Sequence, residues 1–184
     1  MPAAEDRLHQ GEVWDADQAL EQLYAAHWAG LVRLSVLLVR DQGTAEEIVQ
    51  DSFVAVHARW HSLHDPDRAL AYLRQTIVNR SRSVLRHRKV VARHLESAAA
   101  QSRVHQAEGD DITAVSDRRR RVLDAVSQLP RRQREVVALR YYLDLSEAEI
   151  AAILGISRGA VKSHGSRGAA ALRARLADAM EAHG

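Results

Sequence analysis

Apolar residues recur along this chain at the three- and four-residue intervals of amphipathic helices, and no stretch alternates at the two-residue interval of strands. From about Asp15 the stripe is Leu20, Leu23, Tyr24, His27, Leu31, Leu34 and Leu38, with His27 at the core edge. Asp41-Gln42-Gly43 interrupts it. Thr44 with Glu47 has the form of a capping box, after which Ile48, Val49, Phe53 and Val56 point inward. His61 to Asp67 reads as a loop, because Asp65-Pro66 is turn chemistry. Leu70, Leu73, Ile77, Val84 and Leu85 form the next stripe. Residues 95–117 lose it and carry Gly109 with the acidic run Glu108, Asp110 and Asp111, the composition of a linker that is helical at its start. Val122, Leu123, Val126 and Leu129 then lead to Pro130, and Val136, Val137, Leu139 and Tyr142 resume the pattern. The expected fold is all-α: two small helical domains, 15–94 and 118–180, joined by a flexible linker at 95–117, behind a loose polar segment at 1–13.

Ser146 to Arg175 predicts a short helix, a tight turn and a longer helix. Ser146 and Glu149 make a capping box, and Ile150, Ile153 and Leu154 give the first helix one apolar side. Gly155 stands where that helix must stop, Ile156 fills the corner, and Ser157 suits the next cap. This is the pattern of a helix-turn-helix. In the second helix Val161, Gly165, Gly168, Leu172 and Leu176 share one side; Gly159, Lys162, Ser163, Ser166 and Arg167 fall largely on the other. A helix that enters the major groove must present donors and no carboxylate facing phosphate. No Asp or Glu occurs from Ile150 through Ala177. Gly165 and Gly168 fit close packing of the inner face, and Gly159 a close approach of backbone to DNA. A plain two-helix corner with a solvated basic face is the weaker reading, because cap, turn glycine, apolar corner and one-signed face coincide.

Charge distribution sharpens this picture. The net charge of the 184 residues is only +2, yet the sequence pI is about 9.3. Arg68, Arg74, Arg80, Arg82, Arg86, Arg88, Lys89 and Arg93 fall in a stretch, Arg68 through Leu95, with no acidic residue. Such a helix repels itself, and phosphate relieves the repulsion. Glu46, Glu47, Gln50 and Asp51 form an acidic patch near a helix start, which suits either the helix dipole or a protein partner. Cysteine is absent, which excludes disulfides, a thiolate nucleophile and Cys-ligated zinc. His57, His61 and His64 have no further ligand to complete a metal site, so no metal and no cofactor is expected. Asp65 and Asp67 are the one acidic pair near the basic region, and turn chemistry accounts for them, so no catalytic residue is assigned. The N-terminus lacks a signal-peptide pattern, and Leu31–Val39 is short and interrupted by Arg33, so the expectation is a cytoplasmic protein without membrane insertion.

The order of these segments resembles a minimal sigma factor of the sigma-70 superfamily, of the extracytoplasmic-function type with regions 2 and 4 only, in its SigE-like branch. LYAAHWAGLVRLSVLLV, AEEIVQDSFVAVHARW and AYLRQTIVNRSRSVLR resemble region 2; LPRRQREVVALRYYLDLSEAEIAAILGISRGAVKSHGSRGAAALRARL resembles region 4. The resemblance implies a non-enzymatic initiation factor whose partners are core RNA polymerase and promoter DNA. It implies that Glu47, Gln50 and Asp51 dock on the β′ clamp coiled coil and that region 4 meets the β flap. Of the −10 element, His61, His64 and Asn79 would trap a flipped base beside Tyr72, and Arg80, Arg82 and Arg86 would hold the strand. Arg140, Arg158, Lys162, Ser163, Ser166 and Arg167 would meet the −35 element in the major groove. The linker would thread toward the RNA exit channel, and an anti-sigma partner would act by covering the docking and DNA faces. Tyr72 stands where many relatives carry Trp. The rival reading is a stand-alone helix-turn-helix repressor or activator, which binds a palindrome tightly without polymerase.

Overall fold

The computed structural model describes residues 16–63, 65–98 and 114–181. The segment 1–13, His64 and the middle of the expected linker, with Glu108, Gly109, Asp110 and Asp111, lie outside the described residues. Helices α1 (Ala16–Val39), α2 (Gln42–Leu63) and α3 (Pro66–Ala98) pack on one another. The remainder is α4 (Ala114–Ser127), α5 (Arg131–Val137), a π-helical turn (Ala138–Tyr142), α6 (Glu147–Leu154) and α7 (Arg158–Glu181). In this second unit α7 packs against α4, α5 and α6. No strand occurs among the described residues.

The first core is built from the aliphatic stripes: Leu31, Leu34, Val49, Val56, Leu73, Ile77 and Val78 are buried, and Phe53 and Trp60 close one side. Burying each such side chain contributes roughly 1.5–3 kcal/mol of transfer free energy. Tyr24 departs from the expected stripe. It lies on the surface, stacked on Trp28 with ring centroids 4.6 Å apart and tilted against Phe53 at 5.3 Å. Val122 likewise turns outward, while Ala125 and Val126 are buried on the inner face of α4 and Leu129 is buried just beyond its end. As a whole, Asp17–Val39 is long and apolar enough to cross a membrane by length and composition, which the shorter run Leu31–Val39 did not suggest. Its Leu31, Leu34 and Leu38 are buried in the core.

Two expected boundaries move. The α1–α2 break falls at Arg40, whose φ of 63° is left-handed, and the cap of α2 is Asp41 rather than Thr44: its Oδ1 accepts from the Thr44 N–H at 2.7 Å. Thr44 instead receives Arg88, its hydroxyl accepting from Nη2 at 2.8 Å. The His61–Asp67 loop shrinks from both ends. Helix α2 continues to Leu63, which places His61 in its last turn, and α3 opens at Pro66. Proline at a first helical position is pre-set for the turn, and Asp65 caps it, its Oδ1 accepting from the Asp67 N–H at 2.9 Å.

The two units are in contact. Helix α6 packs on α3, and the π-turn and α4 pack on α1. Val136, Leu139, Ile150 and Val161 belong to the same buried cluster as the α1–α3 core.

Candidate nucleic-acid interface

The helix-turn-helix is held as its sequence dictates. The Ser146 hydroxyl accepts from the Glu149 N–H at 3.3 Å, and the Glu149 carboxylate accepts from the Ser146 N–H at 2.9 Å, which completes the capping box of α6. Bonds from the Ser146 hydroxyl and then its N–H hold the Glu149 carboxyl below the usual range, with Arg74 adding to the effect. Gly155 ends α6 at φ 64°, ψ 42°, a conformation that costs a side chain and suits glycine. The Ser157 Oγ then accepts from the Ala160 N–H at 3.1 Å and starts α7.

The face of α7 divides as expected. Val161, Gly165 and Gly168 are buried and Leu172 and Leu176 half-buried; Arg158, Gly159, Lys162, Ser163, Ser166 and Arg167 are exposed together. Small inner residues let α7 approach α5: a Cβ on Gly168 would lie 2.7 Å from Val137 Cγ2. Arg167 folds back along its helix, Nη2 donating to the Ser163 hydroxyl at 2.9 Å. Arg140 reaches this helix from the π-turn. Its Nη1 donates to Glu147 at 3.1 Å and would lie 3.7 Å from a Cβ at Gly165. The six residues expected at the −35 element therefore gather around one helix.

The residues expected at the −10 element are more constrained than their one-signed sequence implied. Arg80 donates to Asp51 at 2.7 Å, which ties α3 to α2. Arg82 donates Nη1 to the Asn79 amide oxygen at 3.1 Å and the rest of its guanidinium to Glu135. Tyr72 is half-buried, with the Arg59 guanidinium 5.5 Å over its ring. Arg86 is exposed, with a long contact to Ser83 at 3.5 Å. His61 lies on the final turn of α2, and His64 is outside the described residues. Glu47, Gln50 and Asp51 are exposed along one side of α2, and the same surface continues through Val54.

Sequence reasoning missed Glu135, Arg134 and Arg59. The first two sit in the run RRQRE, to which sequence pattern alone assigned no role. Glu135 is 2% exposed. Arg134 donates to the Leu38 and Leu129 carbonyls at 3.2 Å each, and burial presses its guanidinium below its ordinary pKa. Among the described residues no group of His, Asp and Glu is arranged to hold a metal.

These features define a two-unit helical DNA-binding protein with a helix-turn-helix in its second unit. Residues 23–90 match the family model described as Sigma-70 region 2, and residues 119–172 that described as Sigma-70, region 4. An RNA polymerase sigma-E factor of Streptomyces antibioticus is 33% identical over 92% of this chain and 88% of its own length. The extracytoplasmic-function sigma factor SigL of Mycobacterium tuberculosis is 33% identical over 85% of this chain and 88% of its own length. Two solved structures are similar in fold. The sigma factor RpoE in complex with the anti-sigma factor NepR from Bartonella quintana has a TM-score of 0.68 at 24% identity, covering 85% of this chain and 95% of that one. CnrH in complex with the cytosolic domain of CnrY has a TM-score of 0.65 at 27% identity, covering 89% and 95%. The chain belongs to the sigma-70 family of RNA polymerase sigma factors, in the extracytoplasmic-function group. It is a sigma factor that directs promoter-specific transcription initiation; the stand-alone repressor or activator is not favoured, because both sigma regions are present in order.

Proposed function

We propose that the first unit, residues 15–94, docks core polymerase and melts the −10 element, and that the second, residues 118–180, reads the −35 duplex, with 95–117 linking them. The carrying observation is the exposed face of α7, whose Arg158, Lys162, Ser163, Ser166 and Arg167 offer donors with no carboxylate among them. Arg140, which lies beside α7 at Gly165 and is paired with Glu147, is proposed to turn to the same duplex. Phosphate contacts position the helix and base edges supply identity. Glu47, Gln50 and Asp51 meet the β′ clamp coiled coil, and the second unit meets the β flap. His61, His64, Tyr72 and Asn79 receive a flipped −10 base, at a cost of a few kcal/mol in unstacking that stacking in the pocket offsets. Arg80, Arg82 and Arg86 hold that strand.

The protein carries out no covalent chemistry and works in the cytoplasm, where polymerase and promoter are. An anti-sigma partner that covers these faces is proposed from the similar structure of RpoE, which is in complex with the anti-sigma factor NepR. Run-off transcription with added core enzyme on genomic fragments tests the main reading: selective transcripts are expected, and initiation no more selective than by core alone overturns it. Native co-purification tests the inhibitor, and recovery solely with polymerase under non-inducing growth counts against it.

A further inference from the structure

Beside the shared apolar cluster, the seam between the two units is bridged by charged groups, and one of them, Arg82, has another proposed employment on nucleic acid. Arg82 of α3 donates Nε to Glu135 Oε1 at 2.7 Å and Nη2 to Oε2 at 2.8 Å, a two-pronged pair spanning 53 positions of sequence. The Glu135 side chain is 3% exposed and that of Arg82 17%. Around it Arg33 Nε donates to the Tyr142 hydroxyl at 2.7 Å, Arg134 to the Leu38 carbonyl, and Arg40 pairs with Asp124. We propose that Glu135 is a latch: in the polymerase-free chain its carboxylate occupies the guanidinium that otherwise grips the −10 strand, so unit closure and strand capture compete for Arg82. The inference rests on the strand-holding role proposed above for Arg82.

Three physical points support it. A planar guanidinium accepts a carboxylate and a phosphate by the same fork of donors, so one side chain cannot serve both at once. A buried ion pair returns roughly what its desolvation costs, so this one fixes the seam while adding little net stability, and a rival anion can displace it. Opening does not strand Glu135 without a countercharge either. Arg132 Nη1 lies 3.2 Å from its Oε2 and Arg131 Nε 3.9 Å from its Oε1, and both stay with it in the second unit. Asn79, another proposed −10 residue, is tied to the same guanidinium and is released with it.

The chain has no native cysteine, so dyes on Ala58→Cys and Ala170→Cys report unit separation by energy transfer. A fluorescein-labelled single-stranded DNA oligonucleotide reports strand binding by anisotropy. Glu135→Gln is expected to lower transfer and to tighten strand binding roughly tenfold, the change given by about 1.4 kcal/mol. Arg82→Gln opens the seam from the other side, which reads closure even where Glu135→Gln fails to fold by circular dichroism. The exchange Arg82→Glu with Glu135→Arg restores transfer without any gain in strand affinity. Unchanged transfer in both single variants overturns the latch, as does opening by Glu135→Gln without tighter strand binding. Run-off transcription by the wild-type chain with core enzyme separates the two failures: selective transcripts alongside a failed latch leave the sigma reading intact.

Discussion

One methyl group placed at Gly168 tests how closely α7 is seated on α5. A Cβ there would lie 2.7 Å from Val137 Cγ2, 3.2 Å from Gln133 Cβ and 3.4 Å from the Gln133 carbonyl oxygen. Val137 is buried and β-branched, so its methyl cannot swing aside as the end of a long side chain would. Overpacking of this kind costs about 1–3 kcal/mol. Replacing a helical glycine by alanine also contributes about 0.8–1 kcal/mol in the favourable direction. Gly168→Ala therefore nets a loss of about 0–2 kcal/mol. Gly30, inside α1, is the matched control: its Cβ would meet nothing within 4 Å, so Gly30→Ala keeps the whole propensity gain. Urea unfolding followed by circular dichroism, with midpoints compared at equal slope, should separate the two variants by about 1–3 kcal/mol. Equal stabilisation of both would refute the claim that small residues set the α5–α7 distance.

Other expectations follow from the same geometry. Gly155→Ala forces a Cβ into the left-handed region at φ 64° and should cost about 1–2 kcal/mol, read by the same unfolding assay. Glu149 and Asp41 titrate below their ordinary values, Glu149 through Ser146 and Asp41 through the Thr44 hydroxyl and N–H. A depressed folded pKa contributes stability that is full above the unfolded value of about 4 and is lost as pH falls through the folded value. Between neutral pH and about pH 3 the wild type should accordingly lose more stability than Glu149→Gln; parallel curves would contradict this. Lys162→Ala should weaken promoter binding by the holoenzyme and reduce the salt slope by about one, and an unaltered slope would argue against a phosphate contact.

The helix-turn-helix was legible almost residue by residue because its determinants are local. A hydroxyl and a carboxylate three positions apart make the cap, and one glycine makes the turn. The −10 surface was legible only in composition. Arg68 through Leu95 contains no acid, but Asp51 and Glu135 arrive from elsewhere in the chain to meet Arg80 and Arg82. No local pattern announces such a partner. Glu135 was the harder case, since nothing in its run with Arg131, Arg132 and Arg134 foretells that it is buried and met by Arg82 from α3. The loop at His61 was misjudged for a related reason: Asp65-Pro66 is turn chemistry and also a helix start, and the helix claimed it.

The π-helical turn at Ala138–Tyr142 carries a consequence for how this chain tolerates length changes. Such a turn holds one residue more than an α-turn, and each residue advances the direction of a side chain by about 100°. From this single widened coil Arg140 is aimed at Glu147, at the start of α6 and beside α7, and Tyr142 at Arg33 on α1. Excising one residue to regularise the coil would swing one of the two off target whichever residue were removed. The superfluous residue is thus a gear tooth: it couples the bearing of an arginine beside the DNA-reading rod to the docking of one half of the molecule on the other.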